Sequence, residues 1–265
     1  MALFRPQRYA DGDLIDLGGG RVRLKVSPRA RRVSLRLDAA RGEVIATAPS
    51  SRRLAEAVAF ATERTAWVSA QIARAPVAEP IRPGASIAVL GRPLRLEQTT
   101  GRTQWRAESP DGGIAALAVK GEGPAFAKAV VRALKAEAGR TLTERTGVYA
   151  RAVARPMPTV TMMDAKARWG SCKPPRAAGF GANAEVGRIR YCWRLILAPE
   201  PVLDYVAAHE CAHLVEANHS PQFWVVVKDL VGDHRPHRAW LREHGPRLHA
   251  FGRDENAPRG QALSS

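Results

Sequence analysis

The sequence predicts an α+β protein in which a β-rich N-terminal part with one helix precedes a mainly helical part. Before position 123, short stretches alternate cationic and apolar residues, whereas after Pro124 apolar residues recur at helical intervals. A period of two gives a strand one buried face, and a period near 3.6 gives a helix one buried side. We therefore expect a β-rich subdomain over residues 1–123, a helical domain with a small antiparallel sheet over 124–252, and a flexible tail over 253–265.

Alternation predicts two N-terminal strands, RVRLKV at 21–26 and RVSLRL at 32–37. EVIATAP at 43–49 is the third predicted strand. If the first two pair, one outer face would carry Arg21, Arg23, Lys25, Arg32 and Arg36. Such a face could contact phosphate or could simply be solvated. A helix from 54 to 72, capped by Ser50 or Ser51, and two short strands near Gly91 follow.

The second half begins with a long helix from Pro124 to about Val153, in which Gly139 is the weakest helix former. TVTMMD at 159–164 and RYCWRLILAP at 190–199 both have strand composition. A further helix begins near Pro201, because proline is tolerated in a first helical turn.

The composition bounds the function classes. The chain has 265 residues and a net charge of +16, which favours phosphate or nucleic acid as partners, although an Arg-rich composition alone produces the same charge. No apolar run reaches 18 residues, so no membrane span is expected. The start has no secretory signal pattern, and the three cysteines show no disulfide rhythm, so we expect a cytoplasmic protein with free thiols.

The segment HECAHLVEANH contains the strongest candidate site. His209 and His213 are four residues apart, so on a helix their side chains lie on one face and can reach one metal ion. Glu210 lies about 100° around the helix, beside the metal rather than on it, which suits a general base. The alternative is two histidines on a solvated helix face. The apolar turns before His209 argue against that alternative.

His219 is the predicted third metal ligand, because it stands ten residues after His209, as in HExxHxxGxxH motifs. Asn218 tolerates the left-handed turn that could end the helix and bring His219 back. The rival third ligands are downstream: His234, His237 and Glu243. The metzincin class fits poorly, since Glu216 stands at its glycine position and no methionine follows the site.

Five segments resemble the YgjP-like metallopeptidase family, which is related to the SprT-like and Wss-type zinc proteases. They are RWGSC at 168–172, WRLILAP at 193–199, VLDYVAAHECAH at 202–213, NHSPQFW at 218–224 and HRAWL at 237–241. The resemblance covers most of the chain. It implies a zincin-like domain with one zinc ion held by His209, His213 and His219, and a catalytic Glu210. Cys192 and Cys211 depart from the family pattern, and the segment 173–188 is longer than expected.

The sequence favours a zinc peptidase acting on a peptide or protein, with Arg168 as candidate oxyanion donor or as part of an ion pair. The family's name-giving member resembles a UTP pyrophosphatase, so a nucleotide hydrolase is the second hypothesis. A DNA-binding protein with structural zinc is the third, and a cysteine fourth ligand would favour it. A cysteine protease using Cys172 is the fourth. The oligomeric state is not indicated.

Overall fold

The computed structural model describes residues 8–18, 20–38, 42–73, 80–108, 115–165, 168–175 and 186–252. Within them the chain forms six α-helices and eleven strands in three small sheets, and the predicted α+β class is confirmed. None of the described helices is long and apolar enough to cross a membrane. The predicted tail at 253–265 lies outside the described residues.

The N-terminal sheet contains four strands in the order β1-β2-β4-β3. Their bounds are β1 Leu14–Asp16, β2 Arg21–Val26, β3 Ser34–Asp38 and β4 Glu43–Ala48. The pairing of β2 with β3 that the sequence left open does not occur: β4 lies between them, parallel to β2 and antiparallel to β3. The pairing of β2 with β4 brings their apolar residues onto one face. The free energy gained by burying these residues exceeds the advantage of closing a short hairpin between β2 and β3.

The predicted cationic face nevertheless forms across the three strands. Arg23, Ile45 and Arg36 stand opposite one another in register, so they share one face of the sheet. Two of its cations share one carboxylate, Glu43, which is 2% exposed and lies 3.0 Å from Arg23 and 3.7 Å from Arg21. The patch on β2 is therefore an ion-pair cluster in which the positive charge is offset in part.

One predicted helix is two helices. The segment after β4 forms α1 Leu54–Thr62 and α2 Thr65–Ala73, which cover the apolar face of the N-terminal sheet. A short 3-10 turn, Ser51–Arg53, comes before α1, and Ser50 is its N-cap without a side-chain cap bond. The predicted capping hydrogen bond is therefore wrong.

A second four-stranded sheet has the same topology as the first, in the order β5-β6-β8-β7. Its strands are β5 Ser86–Val89, β6 Arg92–Gln98, β7 Gln104–Arg106 and β8 Ala116–Val119. In both sheets the second and fourth strands are parallel neighbours, and each flanks an antiparallel edge strand. This structural repeat has no counterpart in the residue pattern, and β7 and β8 come from a stretch that looked irregular.

The remaining elements build the part of the protein that carries the HExxH segment. They are α3 Gly123–Ala152, β9 Thr159–Met163, β10 Gly170–Lys173, β11 Arg188–Cys192, α4 Glu200–Ala212, α5 Pro221–Val231 and α6 Arg235–Ala250. Helix α3 continues through Gly139 without a break. The sheet order is β10-β11-β9, and β9 runs parallel to β11, so this sheet is mixed rather than antiparallel. RYCWRLILAP is a strand only to Cys192; Trp193–Leu197 is a buried 3-10 helix.

The described residues divide into two compact units, one covering residues up to 73 and one covering 80–252. The predicted division was at 123. The units differ from it because the β5–β8 sheet shares one apolar core with α3, β11 and α4: Leu96, Leu117, Phe126 and Ile189 belong to the same buried cluster. The N-terminal unit has a separate core of its own around Leu24 and Leu54.

Candidate metal centre

Helix α4 positions the first two histidines and the glutamate. Its first turn contains Pro201, and most of its residues are buried against α3 and the central core. The helix ends at Ala212, and His213 is the C-cap residue with φ −67° and ψ −12°. Because these angles are still helical, His213 remains one turn beyond His209 on the same side of the helix.

The chain returns to the site through a tight turn after α4. Glu216 N donates to Ala212 O at 2.9 Å, and Ser220 N donates to Asn218 O at 2.8 Å. The predicted left-handed Asn218 is wrong, since the positive-φ non-glycine residues of the described chain are Leu90 and Ala154. The helix ends earlier than predicted, and hydrogen-bonded turns rather than one left-handed residue bring His219 back.

The ring nitrogens of His209, His213 and His219 converge. One ligand atom of each lies within 4.8 Å of the others, and Nε2 of His209 is 3.1 Å from Nε2 of His219. Two nitrogen ligands of a tetrahedral zinc ion, each bound at about 2.0–2.1 Å, are about 3.3–3.4 Å apart. The three side chains are thus close enough to share one metal ion.

Hydrogen bonding and burial favour neutral rings with a free nitrogen toward the common centre. Nδ1 of His213 is 3.0 Å from the Glu216 carbonyl oxygen, which accepts its N–H and leaves Nε2 as the ligand atom. Burial, followed by the neighbouring His213 and His219, lowers the pKa of His209 to about 3. Nδ1 of His209 is buried without a hydrogen-bond partner among the described residues, so no hydrogen bond at this nitrogen orients the ring. His219 is exposed, which leaves the site open to solvent from its side.

Glu210 follows His209 on α4, and its side chain lies in a dry environment. The residue is 5% exposed, and burial raises the pKa of its carboxyl to about 8. Its Oε2 atom has no hydrogen-bond partner in the described part of the chain. Gly170 on β10 packs directly against the carboxylate. A buried carboxylate without a protein cation is costly, and a bound cation next to it removes much of that cost.

Two aromatic side chains, Phe223 and Trp224, pack around the candidate metal centre, and neither was predicted to belong to it. Phe223 is fully buried, and its ring centroid is 4.9, 4.5 and 4.7 Å from those of His209, His213 and His219. Trp224 stacks on His234 at 4.4 Å. The only sequence signal for this role was the NHSPQFW segment after the third histidine.

The rival third ligands lie elsewhere. His234 stacks between Trp224 and Tyr205, and His237 stacks on Tyr205 at 6.1 Å between ring centroids. Glu243 is exposed on α6. Among the described residues, His209, His213 and His219 form the one His/Cys/Asp/Glu group close enough to share an ion.

The cysteines and Arg168 complete the set of sequence candidates. The thiol of Cys211 is directed toward α3, with Sγ 3.7 Å from the Thr146 carbonyl oxygen. Neither it nor Cys172 belongs to the histidine group, so no cysteine of the described chain serves as a fourth ligand there. Arg168 is exposed and has no ion-pair partner among the described residues, and it stands two positions before Gly170.

The sequence matches a protein-family model that covers the segment with the three histidines and Glu210. The YgjP-like metallopeptidase domain matches residues 31–244, most of the chain. The chain belongs to the YgjP-like family. Neither the search of curated proteins nor the search of solved structures produced a match. The match includes residues of both compact units, and of the N-terminal sheet it covers β3 and β4.

Membership supports a metallohydrolase of the peptidase kind, with a metal ion as its cofactor. The three histidines of this YgjP-like chain are compatible with that cofactor, because their ligand atoms converge on one point. The family resemblance expected from RWGSC, WRLILAP and the HExxH segment is thereby confirmed.

Proposed function

We propose that this chain is a zinc peptidase that holds one zinc ion with His209, His213 and His219 and uses Glu210 as general base. The observation that carries the proposal is the convergence of three imidazoles, two of them from a helix that also carries a buried carboxyl group without a hydrogen-bond partner for Oε2 among the described residues. Family membership supports the peptidase activity. Three protein ligands rather than four favour a catalytic over a structural ion.

A zinc ion held there supplies positive charge, which polarises an attacked carbonyl group and favours the ionised form of Glu210. Glu210 then accepts a proton from the attacking water and returns it to the leaving amine. Its burial supports this role, because a carboxyl group with a pKa raised toward neutrality both accepts and releases protons near pH 7.

The strand next to Glu210 supports an extended peptide as substrate. β10 is an edge strand of its sheet, and its Gly170 lies against the Glu210 carboxylate. An extended peptide can add to such an edge through main-chain hydrogen bonds, which places one of its peptide groups beside the base. Arg168, exposed just before β10, is the proposed donor to the developing oxyanion.

The decisive experiment compares Glu210→Gln with His209→Ala in the purified full chain. Glu210→Gln keeps about one zinc per chain by elemental analysis and loses turnover, because the ligands remain and the base does not. His209→Ala loses both. Full turnover by Glu210→Gln refutes the assigned base. Arg168→Ala lowers kcat by about 10²-fold if it donates to the oxyanion, and leaves kcat unchanged if it does not.

The substrate class is tested with the same proteins. Casein and a peptide library are compared with the four nucleoside triphosphates. Cleavage of peptides alone, lost in Glu210→Gln, supports the proposal. Cleavage of UTP without proteolysis would establish the nucleotide hydrolase instead. Duplex DNA binding without hydrolysis of any substrate would support structural zinc in a DNA-binding protein.

A further inference from the structure

A groove of about 560 Å³ lies in the N-terminal unit between strand β3 and the helices α1 and α2. We call it the β3 groove; the residues that line it are Arg32, Val33, Ser34, Leu35, Phe60, Arg64 and Trp67. Its apolar surface comes from Leu35, Phe60 and Trp67, and Trp67 is 40% exposed. An exposed tryptophan beside a cavity of this size is typical of a recognition site rather than of a core.

The strand that forms one side of this groove is at the edge of its sheet. β3 pairs with β4 on one side, and in the part of the chain that the structure describes no strand pairs with its other side. Such an edge presents unpaired backbone N–H and C=O groups, which are a template for a further strand. The groove and the open edge are therefore one surface, on which apolar side chains lie next to unpaired main-chain N–H and C=O groups.

The charge of the surface is positive. Arg32 and Arg64 line the groove, and Arg36 projects from β3 on the opposite face of the sheet. Two described carboxylates lie nearby: Glu63 is 3.6 Å from Arg64 and 71% exposed, and Asp38 stands two residues after Arg36 on the same face of β3. No carboxylate belongs to the described lining of the groove. The surface is complementary to an acidic partner.

We propose that the β3 groove binds an extended acidic segment of another protein, which adds to β3 as a further strand. Alternate side chains of such a strand face opposite sides of the sheet. Apolar side chains enter the groove against Phe60 and Trp67, and acidic side chains between them face Arg36. The site is separate from the metal centre in both residues and chemistry, and it goes beyond the proposed peptidase activity.

A single-stranded nucleic acid fits this surface less well. Nucleic acid binding of that kind uses aromatic rings as stacking platforms. The ring of Phe60 is already covered by the Arg64 guanidinium, whose carbon lies 3.9 Å from the ring centroid, which leaves Trp67 as the exposed ring of the groove. The unpaired backbone of β3 can form a ladder of hydrogen bonds with a peptide strand. A nucleotide chain has no backbone N–H and C=O groups with this spacing.

The test is binding of a fluorescein-labelled peptide of about eight residues that alternates Val and Glu, measured by anisotropy on the full-length protein. Trp67→Ala and Arg36→Glu each weaken binding about tenfold, because they remove the aromatic contact or reverse the charge that faces the acidic side chains. Arg52→Glu is the matched control, because Arg52 is an exposed arginine of the same unit that lies outside the groove. The affinity of this variant for the peptide stays within about twofold of the wild-type affinity. Circular dichroism verifies that each variant is folded.

Main-chain pairing is tested with two peptides N-methylated on alternate residues. N-methylation of the amides that face β3 abolishes binding, and N-methylation of the other set does not. Equal binding by both peptides overturns the proposal, as does unchanged affinity in Trp67→Ala and Arg36→Glu. Tight binding of oligo-dT with no peptide binding would assign the groove to nucleic acid. Turnover in Glu210→Gln bears on the hydrolase proposal, whereas peptide affinity in Trp67→Ala and Arg36→Glu bears on this one, so the two failures are distinguishable.

Discussion

Gly170 leaves the space in which the Glu210 carboxylate lies. A Cβ atom built on Gly170 would be 2.2 Å from Oε1 and 2.5 Å from Cδ of Glu210. The backbone of Gly170 is ordinary strand backbone, so the requirement for glycine is steric and not conformational. The edge strand β10 therefore needs a residue without a side chain at position 170, because the buried Glu210 carboxylate of α4 occupies that space.

Gly170→Ala is therefore expected to displace Glu210 and to lower turnover by about 10²-fold, since a shift of about 1 Å at a reacting group has effects of that size. Zinc content remains unchanged, because the histidines are not touched. Steady-state kinetics and elemental analysis measure the two quantities. The control is Gly139→Ala on α3, where the nearest atom is 3.8 Å away, and which stabilises the helix by about 0.5–1 kcal/mol. Wild-type turnover in Gly170→Ala would show that the carboxylate works from another position.

Phe223 is expected to be the packing support of the three histidines. Phe223→Ala removes a fully buried ring that lies within 5 Å of each imidazole ring, so it costs about 3–5 kcal/mol of unfolding free energy and weakens zinc affinity about tenfold. Urea unfolding and chelator competition give the two values. Val225→Ala on the same helix, at a residue 57% exposed, changes stability by less than about 0.5 kcal/mol. A destabilised Phe223→Ala protein with unchanged zinc affinity would limit the role of Phe223 to the core.

The thiols are expected to be unreactive in the folded protein. Burial, with a smaller contribution from Glu210, raises the pKa of Cys172 to about 12, and burial also raises the pKa of Cys192. A raised thiol pKa means less thiolate: at pH 8 a group with pKa near 12 is ionised in about one molecule in 10⁴. Iodoacetamide labelling followed by mass spectrometry should be slow before denaturation and rapid after it.

The same thiols separate the peptidase from a cysteine protease. Cys172→Ser keeps wild-type turnover if the centre is the three histidines with Glu210. Loss of turnover in Cys172→Ser, together with fast labelling of Cys172 in the native protein, would instead support a thiol nucleophile.

Arg194, which lies in the WRLILAP segment, is expected to stabilise the fold rather than to act on substrate. Its side chain is 1% exposed, and it donates to Asp164 Oδ1 at 2.6 Å and to the Phe251 carbonyl oxygen at 2.8 Å. Arg194→Ala therefore costs about 1–3 kcal/mol of unfolding free energy, because it removes a buried hydrogen bond to the Phe251 carbonyl oxygen, whereas the half-exposed Asp164 is rehydrated. Arg190→Ala, at an exposed position of β11, is the control and changes stability by less than about 0.5 kcal/mol. A loss below about 1 kcal/mol for Arg194→Ala would contradict the assignment.

The Arg194–Asp164 pair also sets a pH dependence. Burial alone would raise the pKa of Asp164, but the hydrogen bond and charge of Arg194 outweigh it and lower the pKa. A lowered folded-state pKa contributes stability above the ordinary carboxyl pKa, and this stability is lost as the pH falls through the lowered value. Asp164→Asn removes that part of the acid dependence in urea unfolding measured from neutral to acid pH.

Local periodicity predicted a large part of the fold. The alternation in RVRLKV and the apolar spacing after Pro124 correspond to β2 and α3, because one-sided burial imposes the same period on sequence and structure. EVIATAP corresponds to β4, which is buried on both faces. Strand pairing was not readable in this way. β4 lies between β2 and β3, and the identical topology of the two four-stranded sheets depends on contacts between distant segments. The 3-10 helix at Trp193–Leu197 was mistaken for a strand because a fully buried run has no period.

For the candidate site, the sequence by itself determined which residue types are available: two histidines one helical turn apart, a glutamate beside them and a third histidine ten residues on. Spacing along a helix is local geometry, so those relationships follow from the chain alone. Only the tertiary structure decided that His219 returns to the pair while His234 stacks on Trp224, that Phe223 lies beneath all three rings, and that Gly170 makes room for Glu210. Those relationships join segments separated by turns and by other elements, and the packing of the whole core, rather than any local preference, fixes where such segments meet.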